Sequence, residues 1–244
     1  MKWTYLGIGL LVYGMLGCSK SPDQLFTQAE EWVSKDSVNL AVQAYEQLIS
    51  EFPEDSLSSV SQYRIARLYL DRSNAMEKGL EALKSVIDRF PDSPQAVRAQ
   101  KDIRDFPEWV YNRAESIRSG KRFQDTIALL SFLVQRYPTH ALAPKSQYLI
   151  GDIYMNDIRD FNSAIDSYRK VLTDFPGSKQ EAHAQFMVGY IYANVLNDQE
   201  NARKEYETFL KKFPDHELSP SVRFELEFLG KDINDIPQLK HIAS

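Results

Sequence analysis

The chain has a single cysteine, Cys18, in 244 residues, so no disulfide can form within it and no pair of thiolates can hold a metal. Glycine is sparse, at 10 residues, and no glycine-rich loop of the kind that cradles phosphates occurs. The four histidines, His140, His183, His216 and His241, are scattered, and none stands at metal-ligand spacing to another histidine or to the cysteine. Basic residues number 29 against 34 acidic ones, for a net charge of −5. That balance lacks the basic patch that nucleic-acid binding requires. Long apolar runs are missing too: the run from Leu6 to Leu16 has about eleven residues, where a bilayer-spanning helix needs about 20. No nucleophile with an associated base can be picked out, and no cofactor is implied.

What the chain does have is repetition. An aromatic residue followed by proline recurs at Phe52-Pro53, Phe90-Pro91, Tyr137-Pro138, Phe175-Pro176 and Phe213-Pro214, with prolines 38, 47, 38 and 38 residues apart. Twelve residues before each proline stand Ala41, Gly79, Thr126, Ala164 and Ala202, small residues where two helices must approach closely. Eight before stand Tyr45, Leu83, Leu130, Tyr168 and Tyr206; ten after, Tyr63, Lys101, Tyr148, Phe186 and Phe224; sixteen after, Tyr69, Pro107, Tyr154, Tyr192 and Gly230. In the clearest copy, Ala164 to Ala193, the residues Ala164, Tyr168, Val171, Leu172 and Phe175 form one buried helix stripe. Pro176 and Gly177 break that helix, and a second helical pattern follows. Thirty residues cannot bury both faces alone, so the copies must stack. The spacing predicts an all-α chain: an α-solenoid of about five helix-turn-helix repeats over 24–229, with a capping helix from Leu218 to Leu229 that shows a polar outer face, and a tail over 230–244.

Two stretches depart from the repeat. Residues 1–17 read as a secretion signal, with Lys2 supplying the positive start and Gly17 the small residue before Cys18. Met15-Leu16-Gly17-Cys18 resembles a bacterial lipobox, in which Cys18 is lipidated and becomes the mature N-terminus. Several acyl chains on that cysteine would anchor the protein stably, and Ser19 after it implies, by resemblance to enteric lipoproteins, sorting to the outer membrane with the soluble part in the periplasm. Ser19 to Asp23 is then a polar tether. The second departure lies around 95–120, where the 47-residue spacing adds nine residues and Pro107 interrupts the tyrosine column. An extra short helix or a change of curvature is expected there. In a purely structural reading the insert is tolerated packing; in a functional one Phe106 and Trp109 are exposed anchors for a partner.

The columns resemble the tetratricopeptide repeat, with Gly151, Tyr154 and Ala164, and then Gly189, Tyr192 and Ala202, carrying the match best. Gln147 and Gln185 occupy the usual tryptophan position, and the period is 38 rather than 34. A lipobox followed by five such repeats resembles the BamD family of lipoproteins in the outer-membrane β-barrel assembly machinery. Gln147 to Leu229 is equally similar to the Tol-Pal-associated coordinators of envelope constriction. These resemblances imply a non-catalytic, lipid-anchored scaffold that binds the barrel-assembly protein or other envelope proteins, with unfolded outer-membrane clients as further partners. They place Tyr63, Arg67, Tyr148, Asp152, Phe186 and Tyr190 on or near a binding groove; the alternative is that the aromatics among them pack between neighbouring repeats. His140 and His216, two residues after their prolines, read as helix caps, and Glu30-Glu31 and Asp157-Asp160 as solvated faces and loops. A lipid-anchored enzyme with its site in Asp105 to Arg122 is the remaining class, and it lacks a plausible catalytic set.

Overall fold

A computed structural model describes residues 20–72 and 75–231. Residues 1–17, expected to be a leader, Cys18 and the residues beyond Lys231, His241 among them, lie outside the described residues. Among the described residues there are twelve α-helices and no strand. They fall into two compact units, divided after Arg104. The first holds the pairs α1 (Pro22–Ser34) with α2 (Val38–Glu51) and α3 (Ser56–Asp71) with α4 (Met76–Arg89), followed by α5 (Pro94–Arg104). The second holds α6 (Phe106–Ser119) with α7 (Phe123–Arg136), α8 (Leu142–Asp152) with α9 (Phe161–Asp174), α10 (Glu181–Asn194) with α11 (Gln199–Lys212), and the closing α12 (Ser219–Phe228). Within each unit every helix packs on its sequence neighbours, the arrangement expected of stacked helix pairs.

Each aromatic-proline step ends a second helix in the same way. Phe52, Phe90, Tyr137, Phe175 and Phe213 all adopt φ between −133° and −128° and ψ between 51° and 59°. The following proline excludes helical backbone at the residue before it. The carbonyls of those five aromatics each accept the N–H three residues on, at 3.0 to 3.3 Å. The turn inside each pair is closed differently. Asp36, Lys121, Arg159 and Asn197 stand there with φ between 54° and 62°, the left-handed conformation that ends a helix. Beside each of them a first-helix carbonyl, of Trp32, Ile117, Tyr154 or Tyr192, accepts an N–H from the start of the second helix, as Tyr69 does from Ala75.

That carbonyl column locates the irregularity. Its third member is Ile117, not Pro107, because α6 is the first helix of the third pair and α5 is the added element. Pro107 sits in the first turn of α6, where its missing N–H leaves no intrahelical bond unmade. Phe106 is a correction to the sequence reading: it is 1% exposed, packed against Trp109, Phe132 and Tyr137 with ring centroids 5.6, 6.2 and 6.4 Å away. An exposed anchor it is not; it joins α6 to α7. Trp109 is half-buried beside it, with the Arg113 guanidinium 5.5 Å from its ring. At the other end α1 starts at Pro22 behind a Ser21 capping box, two residues earlier than the expected tether allowed.

The core repeats one contact. A side chain of the second helix lies over a first-helix position that has almost none. Tyr45, Tyr168 and Tyr206 are fully buried, as are Ala29, Ala66 and Ala114. A Cβ added to Gly151 would lie 2.6 Å from a Tyr168 ring carbon, and one added to Gly189 would lie 2.6 Å from a Tyr206 ring carbon. Gly79 meets the Leu70 side chain in the same manner from the partner helix. Tyr154 and Tyr192, by contrast, are only half-buried, so the deepest tyrosines are those of the second helices. The closing helix also differs from expectation: Phe224 is 36% exposed and packs on Phe228 at 4.7 Å between centroids, so the outer face of α12 is part aromatic.

Gly151→Ala and Gly189→Ala are each expected to destabilise by about 1–3 kcal/mol, since a fully buried ring has nowhere to withdraw. Phe106→Ala should cost about 3–5 kcal/mol, while Val97→Ala, at 67% exposure on α5, should stay within about 0.5 kcal/mol. Denaturation midpoints of the four variants check the ordering.

Candidate partner-binding surface

In the first unit the predicted groove residues are tied to one another. The Tyr63 hydroxyl on α3 donates to Asp102 on α5 at 2.7 Å. Arg67 makes a two-point bond to Asp71 at 2.9 and 3.1 Å and lies 3.7 Å from Asp102. Its neighbours are matched as well: Arg64 to Glu30 at 3.2 Å and Arg72 to Asp36 at 2.9 Å. Glu30 also accepts from the buried Tyr45 hydroxyl, so the acid read as a solvated helix face is a tether between α1, α2 and α3. A shallow cleft of about 160 Å³ lies among these ion pairs. Its cations already have anions.

In the second unit the aromatics predicted for the groove pack between helices. The Tyr148 ring lies tilted against that of Tyr168, 5.2 Å between centroids, and Phe186 lies 6.2 Å from Tyr206 and 6.1 Å from Tyr190. Asp152 accepts the Tyr168 hydroxyl at 2.6 Å. Burial holds its carboxyl above the usual carboxylate range, with the Tyr168 hydrogen bond and the Arg118 charge acting in the opposite sense. Asp157, expected in a solvated loop, pairs with Arg118 at 2.7 Å. Asp157 lies in a feature that the sequence did not show: α8 runs on into a wide π-type turn, Ile153–Ile158, a distortion frequent at functional sites. The largely apolar cleft of this unit measures about 430 Å³ and is lined by Tyr111 of α6, by Lys145, Tyr148, Leu149 and Asp152 of α8, and by Lys179, Gln180 and His183 at the start of α10. Tyr148 and Asp152 are thus brought together there. Phe186 and Tyr190 belong to the next step of the stack.

Three stretches of the chain, 60–93, 145–178 and 183–216, match the model of the tetratricopeptide repeat. Those three stretches are tetratricopeptide repeats. The matched stretches cover most of α3 with α4, α8 with α9, and α10 with α11. The two pairs outside the match, α1/α2 and α6/α7, have Trp32 and Ile117 where the others have tyrosine. Among curated proteins, the O-mannosyl-transferase Tmtc3 of Drosophila melanogaster is 33% identical over 79 residues, which span 32% of this chain and 8% of that protein. Among solved structures, a tetratricopeptide repeat protein from Parabacteroides merdae is 12% identical, with 85% of this chain and 73% of that one covered and a TM-score of 0.36. MamA from Desulfovibrio magneticus is 13% identical, covering 80% and 97%, with a TM-score of 0.35. The TPR2AB domain of yeast Sti1, in a pHSP90 complex, is 9% identical, covering 86% and 98%, with a TM-score of 0.40. The fold assignment rests on the repeat match and on the helix pairs themselves.

Tetratricopeptide repeats indicate a protein-protein interaction scaffold. Among the described residues no group of three or more His, Cys, Asp or Glu is placed to hold a metal, and no helix is long and apolar enough to cross a membrane. The histidines after the repeat prolines are caps: His140 Nδ1 accepts the Leu142 N–H at 3.3 Å, and His216 Nδ1 accepts that of Leu218 at 3.2 Å. Asp55 and Ser93 do the same in their copies, at 2.8 and 3.1 Å. Asp160, expected in a loop, caps α9 through the Ser163 N–H at 3.1 Å. Tyr111, Lys145, Lys179 and His183 of the cleft were not picked out from the sequence as groove residues. They vary between copies, and only the stacking brings three different helices to one place.

Burial, and then the hydrogen bond and charge of Asp102, push the Tyr63 phenol up to about 12 from its ordinary 10.0. The folded-state value exceeds the unfolded one, so this contribution to stability is fully present below pH 10 and is lost as the pH rises towards 12. The stability gap between wild type and Tyr63→Phe is therefore expected to shrink over that interval in denaturation series run from pH 8 to 12. A gap that stayed constant would show that the phenol does not titrate in this way.

Proposed function

We propose that the protein is a lipid-anchored scaffold at the periplasmic face of the outer membrane that serves β-barrel protein assembly. The observation that carries this reading is the order of parts: a short apolar run, Leu6 to Leu16, ends directly at Gly17-Cys18, and a tetratricopeptide array follows without a long linker. A lipid on Cys18 followed by only two residues, Ser19 and Lys20, before the Ser21 cap of α1 would hold the repeats against the membrane, where barrel-assembly components and their unfolded clients meet. The balance of ion pairs within the repeats and the absence of a basic excess support proteins, not nucleic acids, as partners.

Two experiments test this. Radiolabelled palmitate should enter the wild-type chain and not Cys18→Ala, and the variant should leave the membrane fraction. Crosslinking and affinity recovery from outer membranes should return the barrel-assembly protein; recovery of Tol-Pal components in its place would overturn the assembly role while leaving the scaffold.

A further inference from the structure

The cleft between α6, α8 and α10 differs from the α3 groove in the state of its charges. Along α3 every arginine at the cleft meets a carboxylate, Arg64 with Glu30, Arg67 with Asp71 and Arg72 with Asp36. Beside the larger cleft Lys145 has only the face of Tyr111, with Nζ 4.5 Å from the ring centroid. Lys179 has neither an ion pair nor a ring contact among the described residues, and both lysines are exposed. The one carboxylate in the cleft, Asp152, is taken up by the Tyr168 hydroxyl at 2.6 Å. His183 at the edge faces Glu217 at 3.8 Å and the ring of His216. In a chain with five more acidic than basic residues, 34 against 29, two lysines against one carboxylate make this a local excess of positive charge.

Between the lysines lies an apolar floor. Leu149 and Tyr111 are 9% and 4% exposed, and Tyr148 is held at a tilt by its contact with the Tyr168 ring, 5.2 Å away between centroids. The cleft, at about 430 Å³, is within the range of about 300–1,000 Å³ in which ligand sites fall. Stacking of an ammonium on a ring costs it little hydration and leaves its remaining N–H donors free.

On the scaffold reading given above, we propose that this cleft docks an extended acidic segment of a partner protein, in which a carboxylate neighbours an aromatic side chain. The ring of the segment lies on Tyr148 and Leu149, and its carboxylate bridges Lys145 and Lys179 through charge-assisted hydrogen bonds. Segments of opposite sign are selected against, because they would meet two lysines and find Asp152 already bonded. Screening by salt follows from the exposure of both cations.

The test uses the full-length chain in detergent micelles and a fluorescein-labelled peptide with a glutamate-phenylalanine-glutamate core flanked by glycine and serine. Anisotropy titrations are expected to show saturable binding that weakens at least tenfold when the glutamates become glutamines, when the phenylalanine becomes alanine, or when the chain carries Lys145→Glu with Lys179→Glu. Arg72→Gln, in the α3 groove, should leave the affinity unchanged. Unchanged melting of the lysine variant excludes misfolding as the cause, and Lys145→Gln with Lys179→Gln should show an intermediate loss. Equal binding of the acidic and neutral peptides, undiminished binding by the lysine variants, or no binding at all would each overturn the proposal. Envelope-protein recovery by the wild-type chain reads the scaffold role separately, so a failed peptide titration with successful recovery removes the cleft assignment alone.

Discussion

The rest of the structure depends on how closely two helices approach where a buried side chain of one crosses a nearly bare backbone on the other. Tyr168 over Gly151 and Tyr206 over Gly189 leave no room for a Cβ, and the same seat holds Ala29, Ala66 and Ala114 in the other pairs. An approach this close fixes the pair geometry, because dense packing leaves few alternative crossings. It also buries a phenol, whose hydroxyl then needs a partner. Glu30 answers Tyr45 and Asp152 answers Tyr168 from the position after the small residue. Tyr206 is the exception: Tyr190 stands at that position, and the Tyr206 hydroxyl is buried beside Glu225 of α12 instead.

This chain of requirements sorts the polar residues. Acids and arginines on the first helices look like a binding face when read along the sequence, and several of them are committed to the stacking itself. Ties between successive repeats recur at similar separations: Arg72 to Asp36, Arg118 to Asp157 and Arg169 to Glu205. Surface ion pairs of this sort contribute little each, but they occupy the charges that would otherwise recruit a ligand. What the architecture does not use is then informative, and at the cleft of the second unit it includes Lys145 and Lys179 around an aromatic floor.

The added helix α5 has a related logic. It buries only Ala96 and Ala99 of its own side chains, against α3 and α4, and it presents Val97 outward. Tyr63 secures it through Asp102. Phe106 and Pro107 then open a new helix, and the ring cluster of Phe106, Phe132 and Tyr137 starts the second unit's core. The aromatic and the proline that looked like an interruption are a helix start.

Much of this was legible in the sequence because the signals are local or periodic. The aromatic-proline steps determined five helix ends through the restriction proline places on the residue before it. The recurring small residues and tyrosines determined the pairing into helix-turn-helix repeats, and the column after the prolines determined four caps, His140 and His216 included, whereas the Ser178 hydroxyl in the remaining copy caps nothing. Tertiary structure alone decided which polar residues are free. A hydroxyl bonded across repeats, an arginine matched 36 residues away and a π-type turn after Asp152 depend on neighbours that no period specifies. For the same reason the cleft was hidden: its walls come from α6, α8 and α10, and only stacking makes neighbours of Tyr111, Tyr148 and His183.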